Sequence, residues 1–440
     1  MEYLVRPAKV GDVIELEIAQ PAHQGVSIAH YNGRVVFVTG AIEGERVLTK
    51  VTEAKSKFLK ATTLEVLKAS ENRQGHPWPE ASVDRKPSER VGAADFGHMQ
   101  IDYQRLVKQR VLQDALYRHA KIARTVEVQS VPGGDLSWRL KERVIADADG
   151  RFGVRAGNSH AVVKVESLPL AVPEVAEAFK NLGKAHPGTE MTIVRAGDGS
   201  TVVIESNSRD QAPTISYQVG ARSFEVSALG FWQSHHAAAE LLSAQVVELL
   251  QDARKDPQAP NHDLYGGVGL FTAALADSLG TDARITTVES NKQATEFALK
   301  NLAEFPKADA RTARVEKYLQ SLVRRGENWE GATVVLDPPR TGAGKDVVAA
   351  LHALGPENIV YIACDPVALA RDLGFFAEAG WEATGIRAFD LFPNTHHFEC
   401  VALISRIENQ LDLTAWDEAK QEFDKEPKTL TAEEVAAKYL

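Results

Sequence analysis

Four stretches in the C-terminal half carry residue types that could do chemistry. Asp263-Leu264-Tyr265-Gly266-Gly267-Val268-Gly269 reads as a turn between a strand and a helix. Glycines in such a turn let the backbone pass close to a ligand. Glu289 ends the next strand, about 20 residues on, where a carboxylate can take both ribose hydroxyls of an adenosine-containing cofactor. Asp337-Pro338-Pro339-Arg340-Thr341-Gly342 follows an apolar strand. Its prolines stop the sheet and fix a rigid loop, so that Asp337 points into a cleft and Arg340 meets a polar or charged substrate group. Tyr361-Ile362-Ala363-Cys364-Asp365-Pro366 is another strand running into a proline-capped turn. A lone cysteine is ordinarily a small buried hydrophobe, and Cys400, inside the last strand, fits that description. Cys364 instead falls at a strand end, in line with Asp263, Glu289 and Asp337, where a thiol is a candidate nucleophile.

The fourth stretch is Phe389-Asp390-Leu391-Phe392-Pro393-Asn394-Thr395-His396-His397-Phe398-Glu399. A glutamate packed among Phe392, Pro393 and Phe398 acquires a raised pKa and can accept a proton. Two adjacent histidines with an acid nearby could hold a metal, but neighbours in an extended chain point opposite ways, so no metal is expected. The glycine turn is a poor dinucleotide fingerprint, because its third glycine position holds Thr272. A cofactor without phosphates, such as S-adenosylmethionine, suits it better than NAD.

These residues need a scaffold that brings strand ends together. After Ala237, helices alternate with apolar strands ending at Asp263, Glu289, Asp337, Cys364 and Phe389, and a last strand covers 399–404. That alternation predicts an α/β fold with an open, doubly wound, mostly parallel sheet, whose ligands bind beyond the C-terminal strand ends. Upstream, period-two runs at 12–18, 33–38, 45–51 and 60–66 predict a small β-barrel of the oligonucleotide-binding type over 1–67. Residues 68–99 are polar and rich in turn formers, and 103–124 has helical spacing with Leu106, Val107, Val111, Leu112, Ala115 and Leu116 on one face. Between 126 and 226, turn signals at Asp149-Gly150 and Gly197-Asp198-Gly199-Ser200 mark two hairpins around a helix near 172–182, a central α+β domain. The expected division is 1–67, 68–230, 231–405 and an acidic helical tail, 406–440, with helices near Trp416 and Val435.

A chain of 440 residues with 44% hydrophobic and 25% charged residues is an ordinary globular protein of several domains, not a disordered or fibrous one. No apolar run reaches the roughly 18–20 residues of a membrane helix, and no signal peptide is visible. Two cysteines cannot build a disulfide framework, so a reducing cytoplasm is expected. The formal charge of −10 is segregated. Six basic residues face two acids over 46–68, six face one over 105–124, and nine acids face five bases from Ser405 on. The early basic stripes suit either solvated faces or RNA.

The four motifs, in this order, resemble the S-adenosylmethionine-dependent RNA uracil-5-methyltransferase family, whose members act on rRNA or tRNA. Residues 8–66 resemble its TRAM domain, a small RNA-binding barrel. Phe231-Trp232-Gln233 resembles the family's aromatic-aromatic-Gln element. The resemblance implies a Rossmann-like class I methyltransferase fold, S-adenosylmethionine as cofactor and RNA as partner; a monomeric chain is expected. By position it makes Cys364 the nucleophile and Glu399 the base. It places Gln233, Tyr265, Glu289 and Asp337 around the cofactor, with Gly267 and Gly269 giving it room and Arg340 on the substrate side. Phe231, Trp232 and Phe392 would help hold a uracil turned out of its stack.

Three departures stand out. Val91 and Ala94 occupy the place of a cysteine pair that holds an iron–sulfur cluster in many relatives, so no cluster is expected. Asp365 replaces the usual Asn beside the nucleophile and would oppose thiolate formation if it pointed inward. Gly266 replaces a common cysteine, an exchange expected to be harmless. The alternatives are a methyltransferase acting on another RNA base and a non-catalytic RNA-binding protein that kept the fold.

Overall fold

Alternating apolar residues curl the first strands into a barrel. The computed structural model describes residues 8–407 except 158, 209 and 210; the helices expected near Trp416 and Val435 lie outside the described residues. Strands β1 (Val13–Ala22), β2 (Val26–Tyr31), β3 (Arg34–Thr39), β4 (Arg46–Ala54) and β5 (Phe58–Lys68) close in the order β1-β2-β3-β5-β4. Ile14, Leu16, Val36, Val47 and Leu59 fill the interior. Asn32 and Gly33 both adopt positive φ, 49° and 75°, the backbone of a two-residue hairpin turn between β2 and β3. Lys50, Lys55, Lys57 and Lys60 are exposed on this barrel, with Lys55 and Lys60 sharing Glu53 at 3.3 and 2.9 Å.

Residues 69–100 hold only short 3-10 turns, yet Trp78, Val91, Phe96 and Met99 are buried. These buried apolar residues, few as they are, anchor the stretch to the rest of the fold. Val91 and Ala94 sit in one apolar cluster with Trp78.

The helix expected over 103–124 is α1 (Ile101–Ala115), continued by one π turn, Leu116–Ala120. Val107, Leu112, Ala115 and Leu116 are buried as expected, but Leu106 is 45% exposed. The basic stripe splits: Arg105, Lys108 and Arg110 face other elements, whereas Arg118, Lys121 and Arg124 are exposed. Lys108 is fully buried, with Nζ 2.5 Å from Asp390 Oδ1 and 3.2 Å from the Phe392 carbonyl. Arg105 reaches Asp135 at 2.7 Å and Asp390 at 3.3 Å, Arg110 pairs with Glu43, and Arg118 pairs with Asp114 at 2.7 Å. A buried pair can fix the register of one element on another; here Lys108 and Arg105, through Asp390 and the Phe392 carbonyl, tie α1 to the loop ahead of Glu399, while Arg110 ties it to Glu43.

Next comes β6 (Val128–Gln129), followed by a five-stranded antiparallel sheet. Strands β7 (Lys141–Ala146), β8 (Phe152–Arg155), β9 (Val162–Lys164), β10 (Glu190–Arg195) and β11 (Thr201–Glu205) form it in the order β11-β10-β7-β8-β9. Helix α2 (Pro173–Lys180) buries Val175 and Phe179, and β12 (Thr214–Val219) with β13 (Arg222–Ser227) make a hairpin. Both predicted turns connect paired strands, β7 with β8 and β10 with β11.

The rest is a layered α/β unit. In chain order it comprises α3 (Ala238–Leu249), β14 (Asn261–Leu264), α4 (Leu270–Leu279), β15 (Ile285–Glu289), α5 (Lys292–Asn301), β16 (Ala308–Thr312) and α6 (Val315–Arg324). Then follow β17 (Thr333–Leu336), α7 (Lys345–Leu354), β18 (Asn358–Ala363), α8 (Pro366–Glu378), β19 (Trp381–Phe389) and β20 (Glu399–Arg406). The sheet order is β16-β15-β14-β17-β18-β20-β19-β6. Strands β14 to β18 run parallel, and β20 is antiparallel to β18. Strand β6 joins this sheet beside β19 rather than the central one. Successive strands leave β14 in opposite directions, so the crevice of a doubly wound sheet opens at the C-terminal ends of β14 and β17. Among the described residues no helix is long and apolar enough to cross a membrane.

Candidate active site

Strand β18 is buried along its whole length, which puts its first residue past the strand, the half-buried Cys364, at the C-terminal edge of the sheet beside the crevice. Asp365 then caps α8: Oδ1 accepts from the Val367 and Ala368 N–H groups at 3.0 and 2.8 Å. Pro366 at the first helical position fixes that turn. The other oxygen, Oδ2, lies 3.2 Å from His23 Nε2 on the barrel. The carboxylate beside the thiol is thus engaged by a helix N-terminus and by an imidazole.

Glu399 arrives from the neighbouring strand. Ala363 pairs with Cys400 in the antiparallel β18–β20 ladder, and the next step of that register sets Cys364 opposite Glu399. Cross-strand neighbours project on the same face. Glu399 is buried, and desolvation followed by the Asp337 charge raises its pKa well above the carboxylate range, with Arg340 opposing. The same surroundings push the Cys364 thiol up to about 12: burial first, then Glu399 and Asp337, again with Arg340 opposing. Exposed Arg340 is the cation that acts on both groups. Cys400 is fully buried, as core.

The strand ends beside this pair carry carboxylates. Asp263, at the end of β14, accepts from Thr272 Oγ1 at 2.6 Å through Oδ2, while its Oδ1 is buried without a partner. Burial pushes it up to about 7. Asp337 follows β17; burial and the Asp263 charge push it up to about 7, and a hydrogen bond from Gln233 pulls the other way. Glu289 ends β15 with Oε1 accepting from the Asn291 N–H at 2.6 Å. Its Oε2 takes no hydrogen bond among the described residues. Tyr265 holds φ +65° and Gly269 φ +92°, a left-handed backbone that wraps the turn around the sheet edge. A Cβ at Gly267 would meet open space, whereas one at Gly266 would press on Thr287 Oγ1 and come within 2.7 Å of Asp263 Oδ2. A side chain at Gly266 would therefore require Thr287 and Asp263 to move.

Desolvated carboxylates that have drifted up in pKa favour a ligand carrying positive charge and disfavour phosphates. The acceptor set, with one unpartnered buried oxygen on Asp263 and open space over Gly267, fits an adenosine-bearing cation. Sequence reading missed the parts of this crevice that act through other residues. Thr272 was legible only as a misfit to a dinucleotide turn, and it holds Asp263. Lys141, pushed down to about 8 by burial, donates to the Gly230 carbonyl at 2.6 Å and pins the turn ahead of Gln233.

On the open side, Phe231 is 70% exposed. Trp232, expected to help hold a base, is instead buried and stacked on Tyr217 at 4.7 Å, because the hairpin β12–β13 supplies an apolar bed for it. Phe392 is half-buried, edge-on to Trp138 at 5.8 Å. The rings of His396 and His397 do not point apart: their centroids are 3.9 Å apart, since the chain bends there before entering β20. His396 Nδ1 is bound to Asp95 Oδ2 at 2.6 Å. Among the described residues no group of three metal-ligating side chains is found.

Two family models match the chain: tRNA (Uracil-5-)-methyltransferase over residues 191–407 and the TRAM domain over 7–64. An "uncharacterized RNA methyltransferase" of Streptomyces avermitilis is 36% identical across 90% of this chain and 98% of its own length. One of Bifidobacterium longum is 32% identical across 89% and 96%. Among solved structures, Pyrococcus abyssi tRNA (uracil-54, C5)-methyltransferase in complex with S-adenosyl-L-homocysteine superposes with a TM-score of 0.66 and 19% identity. That match covers 88% of this chain and 99% of the other, and it establishes a shared fold.

Proposed function

The chain belongs to the tRNA (uracil-5-)-methyltransferase family of RNA methyltransferases, and on that premise we propose that it methylates C5 of a uridine in rRNA or tRNA through a covalent Cys364 adduct. The observation that carries this reading is the position of Cys364 opposite Glu399, one step beyond the Ala363–Cys400 pair of the β18–β20 ladder, with Glu399 acting on the pKa of the thiol and Asp337 and Arg340 acting on both groups. Uracil C5 is a weak nucleophile. Addition of the Cys364 sulfur to C6 moves the C5=C6 electron pair towards the C4 carbonyl and makes C5 enolate-like. S-adenosylmethionine supplies the electrophilic methyl group for that carbon. Gln233, Asp263, Tyr265, Glu289 and Asp337 would hold it, with Gly267 and Gly269 giving it room; the positive sulfonium suits the desolvated acids. Glu399 then takes the C5 proton, the C5=C6 bond re-forms and the C6–S bond breaks, releasing Cys364 as the thiolate. Arg340 places its positive charge where thiolate and carboxylate develop. Phe231, exposed beside Gln233, offers a face on which an extruded base can stack.

The reading is tested with S-adenosylmethionine carrying a labelled methyl group and separate pools of unmodified tRNA and rRNA. Labelled 5-methyluridine in one pool is the expected product. Label in another nucleoside keeps the methyltransferase and discards the uracil assignment; no label in either pool discards both.

A further inference from the structure

Three carboxylates act on the Cys364 thiol: Glu399 from β20, Asp337 from the loop after β17, and its own neighbour Asp365. Arg340 alone opposes them. A thiol so surrounded ionises only if some of that negative charge is taken elsewhere. Asp365 is the one whose two oxygens both have partners: Oδ1 on the N-terminus of α8 and Oδ2 on His23. His23 and Asp365 are each about a quarter exposed, 28% and 26%, so their interaction is only partly screened by solvent.

His23 does not reach across by chance of rotamer. It begins a three-residue 3-10 turn, His23–Gly25, between β1 and β2. Gln24 holds φ +65° there, and Gly25 holds φ +70° with its Cα against the Asp95–His396 pair. A Cβ at Gly25 would press on Asp95 Oδ2 and lie 3.1 Å from His396 Cβ. The turn is thus seated on the loop ahead of Glu399, and His23, Gln24, Gly25, Cys364, Asp365 and His397 line one cleft. Lys108 also borders that cleft, but its charge is committed to Asp390, and Asp95 is committed to His396.

We propose that His23 is a positioning residue for the nucleophile: by holding the Asp365 carboxylate on the far side of the α8 cap, the barrel lightens the negative charge on Cys364 and makes its own docking a condition of thiolate formation. The inference rests on Cys364 being the nucleophile, but its test reads the thiol and not methyl transfer. The barrel is then part of the catalytic centre as well as a separate module.

The test is the pH profile of Cys364 alkylation by iodoacetamide in the full-length protein, without RNA or cofactor, followed by peptide mass. Fully buried Cys400 reports on unfolding. His23→Ala should move the profile to higher pH and slow alkylation about three- to tenfold at pH 8, the effect of one nearby charge. His23→Gln, which keeps a donor, should restore part of the rate. In the Asp365→Asn background, where the cap remains and the charge is gone, His23→Ala should change nothing. An unmoved profile in His23→Ala would overturn the proposal. So would an equal loss in the Asp365→Asn background, which would make the contact mere packing. If these shifts appear while Cys364→Ala still methylates RNA, the coupling stands and the nucleophile assignment falls.

Discussion

Glu399→Gln should convert the enzyme from a catalyst into a trap. The amide keeps the size of the side chain at the first position of β20 and leaves Cys364 across from it. Thiol addition at C6 and methyl acceptance at C5 do not need a base at position 399. Removal of the C5 proton does. Turnover should fall by about 10²–10⁴-fold, the usual worth of a general base. A protein–RNA adduct carrying the labelled methyl group should accumulate and survive denaturing gel electrophoresis. Stability should not suffer. Burial raises the Glu399 pKa in the folded state, so ionisation of this group costs stability as pH rises above the unfolded carboxylate range. A neutral amide removes that cost, and the melting temperature at pH 8 should equal or exceed that of the parent. A lost adduct together with full turnover would remove Glu399 from the mechanism.

Cys364→Ala should have the larger effect. Without the sulfur there is no addition at C6, and C5 stays a weak nucleophile. Loss of methyl transfer on the order of 10⁴-fold or more is expected, as for other covalent nucleophiles. RNA binding and the thermal shift produced by S-adenosylmethionine should remain near parent values, because the acids at the strand ends come from β14, β15 and β17. Alanine also removes a thiol that its surroundings push up to about 12, so the fold loses no ionised group at neutral pH. Methyl transfer surviving in this variant would point to an amine or ribose acceptor, whose lone pairs need no activation by addition.

The parts of this molecule legible from sequence are those whose signal is local. Glycine and proline punctuation marks the strand ends at Asp263, Asp337 and Cys364, and alternation marks the barrel. Strand β16 is not legible because it announces no core, whereas the helical spacing of Val315, Leu319 and Leu322 in α6 was there to be read. The strand ends in polar exposed residues, while the apolar face of the helix is set among charges that obscure it. Strand β6 is two residues long, and only its pairing with β19 places it in the large sheet. The basic face of α1 looked like a solvent or RNA surface because its partners, Glu43, Asp135 and Asp390, are distant in the chain. Trp232 next to Gln233 looked available to a base, but Tyr217 from another element had already claimed its face. His23 carries no sequence signal at all. One histidine in a barrel turn acquires meaning only when folding sets it 3.2 Å from Asp365.

The most direct test of the account follows the hydrogen that the reaction must expel. RNA transcribed with tritium at C5 of uridine is incubated with the protein and S-adenosylmethionine carrying a carbon-labelled methyl group. Methylation at C5 through a Cys364 adduct releases one tritium to water for each methyl gained, and both signals vanish together in Cys364→Ala. Methyl incorporation without tritium release would place the methyl elsewhere on the nucleotide and contradict the central claim.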